Sequence, residues 1–451
     1  MVAQILPFPK AGSSTLTPLS CFVRIGEAHR QLSAIHAAGH LPARQAVFDA
    51  SRFRHQRELV GAFRDAGTQL VLDTEAAELA SPAKCGSHSR RAPWAREDGS
   101  ILGPNAFRGS ALDELVGQIA TFAVENHINT VLAPTHFLGD PAFLEWLAID
   151  QATCLALRRA LDREGGTAIA IDYPVILPNG LLNDAAARGR ILTLLGDLPV
   201  ENVWIRSSGF GSDAGPLATR RFLTSVSGFH NLGKPLIADY VGGLVGQTAL
   251  AFGAVSAIAR GVSERERFDA REWHKEPKQP DEEATGFGRV TRVTIPDFHR
   301  SLTVKELEVL CSAKSGRRVC GCGDRTCCQS GYSDMITDHR GHAARQLFRS
   351  VDAIEKVPDL LREKSFLDSQ MASAERKARE VRGLKPSAAE AQRHGIKLDE
   401  MMKRLCDYSR KIERFQATLE NLHETRGEAV PRARAIQPFK ASEPRSSQNK
   451  P

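Results

Sequence analysis

Short apolar runs alternate with helical stretches along residues 19–273. Each run is rich in Val, Ile, Leu or Ala. It is followed by a segment whose apolar residues recur at helical spacing, as in EAHRQLSAIHAAG and RHQRELVGAFRDAG. The first pattern is typical of buried β-strands and the second of amphipathic helices. The sequence therefore predicts eight strands, at residues 21–26, 45–51, 69–75, 129–137, 168–174, 203–209, 236–242 and 256–261.

The alternation and the number of strands predict the fold. Strands that alternate with helices form a parallel sheet with crossover helices. Eight such units close a (β/α)8 barrel of the TIM type, whose usual length is about 250 residues. An open doubly wound sheet is the alternative, but no glycine fingerprint follows an early strand. We predict an α/β fold in which a TIM-like barrel, residues 19–273, precedes a zinc-binding segment and a charged helical C-terminal region.

The segments outside the predicted barrel differ from it in composition. Residues 1–18 contain Pro, Ser and Thr and are predicted to form a flexible arm. Residues 274–300 begin with the charged stretch HKEPKQPDEEATG and are predicted to be a linker and extension. Residues 301–342 hold the cysteine-rich segment, and residues 343–428 form a charged helical arm. The basic residues 429–451 are predicted to be a disordered tail.

Ionisable side chains stand at the ends of most predicted strands. In a barrel, the C-terminal ends of the strands surround one pocket, where barrel enzymes place their active sites. Several carboxylates around one such mouth repel each other, which raises some pKa values and suits acid–base or nucleophilic chemistry. Helix capping or hydrogen bonding is the competing interpretation for Asp49 and Asp73. The predicted catalytic residues are Asp239, Asp172 and Asp73. The predicted substrate-binding residues at the same mouth include Arg206, His136, Tyr240 and Arg260.

A glycine turn follows the seventh predicted strand, in LIADYVGGLVGQ. Glycine lets backbone N–H groups approach a ligand, and a helix start adds unpaired N–H donors. A tight turn with no ligand is the simpler interpretation of such glycines. Because the turn directly follows Asp239 and Tyr240, we also predict substrate contacts from Gly242 and Gly243.

Five of the nine cysteines lie between Cys311 and Cys328, in a segment that contains VCGCGDRTCC. Local clustering is typical of metal binding in a reducing compartment, whereas a disulfide framework is spread along a chain. Three thiolates and a histidine complete a closed, structural zinc site. Further candidates are Cys328, His339 and Cys311, and free or redox-active thiols are the alternative. The predicted zinc ligands are Cys320, Cys322, Cys327 and His342.

The net charge of +7 is concentrated in the C-terminal third. Residues 301–451 hold 29 Lys and Arg against 21 Asp and Glu, and residues 1–300 hold 31 against 32. A basic region is typical of a nucleic-acid contact, with a solvated helical surface as the alternative. No apolar run is long enough to span a bilayer, and the N-terminus lacks a signal-peptide pattern. We therefore expect a soluble, cytoplasmic protein without membrane contact, with RNA or DNA as partner; a homo-oligomer is compatible with the sequence.

A barrel followed by a Cys-x-Cys metal motif and a helical segment resembles the tRNA-guanine transglycosylase family. Gly242-Gly243-Leu244 resembles the glycine segment that lines the base pocket in that family, and Cys320-x-Cys322 resembles the start of its zinc motif. The helix that starts near His342 resembles the one that follows the motif. The third cysteine comes after four residues here and after two in the family. The resemblance implies base exchange on a nucleic acid, with aspartates that recognise the base and act as nucleophile.

Three functions are consistent with these features. The first is a transglycosylase-like enzyme that exchanges a base or transfers a ribosyl group on RNA or DNA. The second is a non-catalytic nucleic-acid-binding or scaffold protein that uses the zinc and helical segments. The third is a barrel lyase or isomerase that acts on a small phosphorylated molecule. The motifs GxSxG, HExxH and GxxxxGK[ST] are absent, so the sequence supports no serine hydrolase, HExxH metalloprotease or Walker NTPase.

Overall fold

Eight parallel strands close into a barrel, which confirms the predicted fold class. The computed structural model describes residues 16–82, 88–139, 143–271, 273, 291–426, 432–437 and 439. Most of the predicted flexible arm, of the charged linker and of the basic tail therefore lies outside the described residues. The barrel strands are β1 (Ser20–Arg24), β2 (Gln45–Asp49), β3 (Gln69–Asp73), β4 (Thr130–Leu132), β5 (Ala170–Pro178), β6 (Val203–Ser208), β7 (Leu236–Asp239) and β8 (Ala257–Arg260).

The strands pair in sequence order, and β8 closes the ring on β1. Because side chains alternate across a strand, every second residue points into the barrel. A buried apolar cluster fills this interior, with Phe22 and Trp204 in edge-to-face contact at 4.9 Å. Its other members are Val47, Val71, Leu132, Ile237, Ala257 and Ala259. The barrel is thus a packed core and not an open channel.

The helices that follow the strands form the outer layer of the barrel. They are His29–Ala37, Arg57–Asp65, Ala76–Leu79, Gly109–Glu125, Phe143–Arg163, Asn179–Leu182, Ala185–Gly196, Pro216–Ser227 and Gly243–Ala251. Short 3-10 turns lie at Phe53–Gln56, His88–Arg91, Pro104–Phe107 and Gly228–Leu232. Asp184 caps one helix by accepting a hydrogen bond from the Ala187 amide at 2.9 Å. Among the described residues, none of the helices has the length and apolar character needed to cross a membrane.

The eighth helix of the barrel comes late in the chain. Helix His339–Glu355 contacts β1, the helix His29–Ala37 that follows β1, and the helix Gly243–Ala251 that follows β7. It therefore occupies the position that follows β8 in a (β/α)8 barrel. The chain between β8 and this helix includes the cysteine-rich segment and an antiparallel hairpin, Arg292–Ile295 with Arg300–Thr303. A second small pair joins Phe210–Gly211 to Arg267–Phe268.

The remaining helices pack beside this segment. They are Val304–Cys311, Gly316–Cys320, Tyr332–Thr337, Arg362–Phe366, Ala372–Arg382, Ala388–Arg393 and Leu398–Arg426, with a 3-10 turn at Asp359–Leu361 and a π-helical turn at Leu367–Met371. Thr303 and Glu306 form a capping box at the first of them. In the last helix the buried residues recur every three or four positions, from Met401 to Leu422. This apolar stripe packs on helices Ala372–Arg382 and Pro216–Ser227.

Part of the predicted disordered tail contacts the barrel. The Ala433 amide donates a hydrogen bond of 2.9 Å to the Gly253 carbonyl, in the turn before β8. Ile436 packs against the interior apolar cluster. The described residues 432–437 therefore lie across the N-terminal end of the barrel, because turns that precede strands lie at that end.

Candidate functional site

Four charged side chains meet at the C-terminal mouth of the barrel. Arg24, Asp73 and Asp239 are the last residues of β1, β3 and β7, and Arg206 lies near the end of β6. Each follows an interior apolar residue by two positions, so the alternation of each strand turns it inward. We call these four residues the arginine–carboxylate cluster. The structure therefore brings together the predicted residues Asp73, Asp239 and Arg206.

Two arginines bridge the two aspartates of the arginine–carboxylate cluster. Arg24 donates from Nε and Nη2 to the two carboxylate oxygens of Asp239 at 2.7 Å each, and from Nη1 to Asp73 Oδ2 at 3.0 Å. Arg206 donates from Nε to Asp239 Oδ2 and from Nη2 to Asp73 Oδ2, both at 2.8 Å. All four residues are buried. Burial alone would raise the pKa of Asp73, but the guanidinium groups of Arg206 and Arg24 hold it well below its usual range.

Two glutamates stand beside this cluster. Burial raises the pKa of Glu78 to about 7, with a contribution from the negative charge of Asp73 that Arg206 partly opposes. Glu78 Oε1 lies 3.9 Å from Arg206 Nη1, and Glu78 Oε2 has no hydrogen-bond partner among the described residues. Burial and the charges of Asp49 and Glu78 also raise the pKa of Glu75, whose Oε2 accepts a hydrogen bond from the Ser51 amide at 2.7 Å. Glu78 is therefore a largely buried carboxyl group, with a side chain that is 15% exposed, and it can exchange a proton near neutral pH.

Aromatic rings cover the cluster. The Tyr240 ring lies 4.4 Å from the Arg24 guanidinium carbon and 5.3 Å from that of Arg206. Phe268 contacts Tyr240 at 5.4 Å, and Trp273 contacts Phe268 edge to face at 5.2 Å between ring centroids. Tyr240, a predicted substrate-binding residue, thus belongs to an aromatic layer that keeps water from the ion pairs. Its left-handed φ of 59° is a strained conformation for a tyrosine.

Asp172 does not join the cluster, contrary to the prediction that it faces the same mouth. It is the third residue of β5, which continues to Pro178, whereas the sequence pattern ended this strand at Pro174. Its carboxylate accepts hydrogen bonds from Trp204 Nε1 at 2.7 Å and from Asn202 Nδ2 at 2.9 Å, near the start of β6. Burial raises the pKa of Asp172 to about 7. Asp172 therefore lies inside the barrel, below the mouth.

His136 also lies apart from the cluster. Its Nδ1 is 2.6 Å from Asp150 Oδ1, and its ring stacks on Trp146 at 4.0 Å and meets Phe107 edge to face at 4.3 Å. The imidazole is only 2% exposed. None of these three partners belongs to the arginine–carboxylate cluster. Two of them lie on helix Phe143–Arg163, so His136 packs beside this helix and away from the cluster.

The predicted glycine turn and Arg260 meet each other near the mouth. Arg260 forms an ion pair with Glu266. A Cβ atom on Gly242 would lie 2.9 Å from Arg260 Nη1 and 3.0 Å from the Glu266 side chain. Gly243 has a φ of 57°, which disfavours any side chain there. Both glycines are thus explained by packing and backbone conformation, while Gly243 and Arg260 line a separate cleft beside the helical arm.

Three cysteines and one histidine form a buried group that could hold a metal ion. The ligand atoms of Cys322, Cys327, Cys328 and His342 all lie within 4.8 Å of one another. His342 Nδ1 is 3.4 Å from both Cys327 Sγ and Cys328 Sγ. Its Nε2 lies 3.2 Å from the Thr294 carbonyl oxygen, and donation of the Nε2 proton there leaves the Nδ1 lone pair free for a metal.

The metal-ligand group differs from the predicted set in one member, because Cys328 takes the place of Cys320. Cys320 ends helix Gly316–Cys320, and its thiol contacts Cys311 instead. His342 lies on the eighth barrel helix, so this group ties the cysteine-rich segment to the barrel wall.

Sequence reasoning missed three members of the mouth. Arg24 ends β1 as Asp73 ends β3, so the rule that found the aspartates also applies to it. Glu78 follows Glu75 by three residues and lies in the short helix Ala76–Leu79, which begins directly after Glu75. Arg265 donates to both oxygens of Asp49, at 2.9 and 2.6 Å, from a loop whose position no periodic pattern indicates.

The comparisons with known proteins add little to this picture. No protein-family model matches the chain, and no curated protein matches it. Among solved structures, the chain is similar to a type I 3-dehydroquinate dehydratase from Clostridium difficile with covalently modified comenic acid. The identity is 6%, the TM-score is 0.35, and the match covers 57% of this chain and 90% of the other. The resemblance to the transglycosylase family therefore stays a prediction.

Proposed function

We propose that the protein is an enzyme whose reaction centre is the arginine–carboxylate cluster together with Glu78. The observation that carries the proposal is the Glu78 carboxyl group, which is largely buried, has one oxygen without a partner among the described residues and has a pKa of about 7. Its position fits the general rule that barrel enzymes react at the C-terminal ends of their strands. A proton donor and acceptor of this kind suits acid–base catalysis at neutral pH.

The charges of the mouth favour a reaction that develops positive charge. Asp49, Asp73 and Asp239 are balanced by Arg24, Arg206 and Arg265. Ionised Glu78 therefore leaves the mouth with net negative charge. Such a mouth stabilises a cationic, oxocarbenium-like sugar more than it stabilises a neutral ground state.

The proposed reaction is transglycosylase-like base exchange on RNA or DNA. Glu78 donates its proton to the leaving base as the bond between the sugar carbon and the base nitrogen breaks. The nitrogen of the incoming base then forms the new bond and returns a proton to Glu78. The negative charge that Glu78 acquires when it gives up its proton stabilises the sugar cation between the two steps, beside the charge-balanced pairs of Asp239 and Asp73. Both aspartates are held by arginines, so an electrostatic role fits them better than that of a nucleophile.

The group of three cysteines and one histidine is proposed to hold a structural zinc ion. Three sulfur ligands and one imidazole are typical of closed zinc sites, which leave no position for substrate. The ion would fix the cysteine-rich segment against the eighth barrel helix. The exposed arginines of that segment would then contact nucleic-acid phosphates, in agreement with the basic C-terminal third.

The experiment is incorporation of radiolabelled guanine into bulk tRNA and into plasmid DNA by the full-length protein. We expect incorporation into one of the two, and a loss of at least a hundredfold in Glu78→Gln. Gln118→Leu, an exposed change on the barrel surface, is the control and should keep full activity. Absence of incorporation into both substrates, or full activity in Glu78→Gln, would refute the proposal.

A non-catalytic nucleic-acid-binding protein is the second candidate. It is favoured by the complete pairing of Asp239, since both of its oxygens accept hydrogen bonds from arginines. This candidate predicts binding of tRNA or DNA that weakens with salt, without exchange of any base and without an effect of Glu78→Gln.

A further inference from the structure

A cleft of about 390 Å³ lies between the barrel and the helical arm. We call it the arm cleft. Its lining includes residues from the start of helix Gly243–Ala251 and from the eighth barrel helix, His339–Glu355. The hairpin around His299 and the helical segment 362–373 contribute the rest of the lining named here. This volume falls within the range of small-molecule sites, about 300–1,000 Å³. None of the four residues of the arginine–carboxylate cluster lines it.

The lining of the arm cleft combines apolar surfaces with uncharged polar groups. Ile295, Leu347 and Phe366 are buried side chains that form its apolar part. Hydroxyl groups come from Ser301, Ser350 and Ser365, and amide groups from Gln247, Gln346 and Gln370. Apolar walls with a few convergent polar groups are typical of sites for small organic ligands.

Two amide oxygens of the arm cleft lack a hydrogen-bond partner among the residues that the structure describes. They are the Oε1 atoms of Gln370 and of Gln247, a residue that is 6% exposed. A buried polar atom without a partner costs about 1–3 kcal/mol, and a ligand that supplies the partner recovers this cost. Gln370 also lies in the π-helical turn Leu367–Met371, a local geometry that recurs at functional sites. These two observations are independent and indicate a ligand that supplies the missing partners.

The charged groups of the arm cleft are largely engaged with other protein groups. Arg260 pairs with Glu266, and Arg349 pairs with Asp324. Arg362 donates to the backbone carbonyls of Ile354 and Thr17, among others, and pairs with Asp359. Burial lowers the pKa of His299 to about 4; the charge of Asp297 opposes this shift and the weaker effect of Arg260 adds to it, so the ring is neutral at pH 7. A phosphate-bearing ligand would find little free positive charge here.

We propose that the arm cleft binds a neutral nucleoside. The planar base would pack between the apolar walls, its N–H groups would donate to Gln247 Oε1 and Gln370 Oε1, and the sugar hydroxyls would meet the serine hydroxyls. This proposal concerns binding alone, so it goes beyond the proposed reaction and does not depend on it.

The experiment is isothermal titration of the full-length protein with guanosine and with adenosine. We expect saturable binding of one of them, weakened at least tenfold in Gln247→Leu and in Ser350→Leu. Gln247→Leu removes an unpartnered buried polar atom, so it should not lower the midpoint of thermal unfolding. Gln118→Leu makes the same change on an exposed helix surface and should keep the affinity of the unmodified protein.

Three results would overturn the proposal: no saturable binding of either nucleoside, equal affinity in Gln247→Leu and the unmodified protein, or loss of binding in Glu78→Gln. The last would place the ligand at the barrel mouth. Because the measurement needs no turnover, it can succeed when the guanine-incorporation assay fails, and the reverse.

Discussion

Arg24 should contribute more to stability than any exposed ion pair of this protein. It donates three hydrogen bonds to two buried carboxylates, and its own side chain is 0% exposed. Arg24→Met keeps the length of the apolar stem but leaves Asp239 and Asp73 with one arginine between them. Removal of one partner from a buried ion pair costs about 3–5 kcal/mol, because the remaining charge stays out of water. We expect a loss of that size in the free energy of unfolding.

A matched control separates this loss from the loss of any arginine. Arg108 pairs with Glu145 at 2.9 Å, but the two side chains are 56% and 49% exposed. Such a surface pair contributes about 0–1 kcal/mol, so Arg108→Met should change stability little. The assay is urea unfolding followed by circular dichroism at pH 7, with the two variants measured side by side. The reasoning would be refuted if Arg24→Met destabilised the protein no more than Arg108→Met.

Further predictions concern protonation, metal and nucleic acid. Because the pKa of Glu78 is raised, the folded state keeps a proton that the unfolded state releases above about pH 4.3. The free energy of unfolding should therefore fall as the pH rises from about 4 to 7. Unfolding experiments across this range should show that Glu78→Gln removes this part of the fall. The lowered pKa of Asp73 has the opposite effect on stability: its contribution is present above about pH 4 and is lost as the pH falls further. In Asp73→Asn the free energy of unfolding should therefore depend less on pH below about pH 4. Metal analysis should find about one zinc ion per chain, lost in Cys322→Ser and kept in Cys320→Ser; the reverse order would contradict the ligand group. Binding of tRNA should weaken as the salt concentration rises. The slope of the logarithm of the binding constant against the logarithm of the salt concentration should become smaller when serine replaces three exposed arginines beside the metal group, whereas Arg159→Ser should leave this slope unchanged. These arginines are Arg317, Arg318 and Arg325.

The barrel could be predicted from the sequence because its signal is local. Each strand is a short apolar run before a helix with a separate periodicity, and the structure keeps all eight of these runs. The strand ends are less certain from sequence, since a strand stops where its partners stop pairing. Asp172 shows this: β5 pairs with β6 as far as Pro178, which leaves Asp172 deep in the barrel.

The pairing of the candidate site could not be predicted, because it depends on contacts distant in the sequence. Arg24 reaches Asp239 across 215 positions and Asp73 across 49. The choice between Cys320 and Cys328 depends on the helix Gly316–Cys320, which holds one thiol away from the group. The eighth barrel helix could not be assigned from the sequence, since the cysteine-rich segment separates it from β8.

A truncation after residue 300 would remove this helix, which is part of the barrel. Single substitutions are therefore the better test of the C-terminal third.

The central claim is that Glu78 exchanges the proton of the reaction. The most direct measurement is the pH dependence of guanine incorporation, with saturating nucleic acid, for the unmodified protein and for Glu78→Gln. We expect a rate that changes with a midpoint near pH 7 in the unmodified protein, and a residual rate without that midpoint in Glu78→Gln. The same midpoint in both proteins would contradict it.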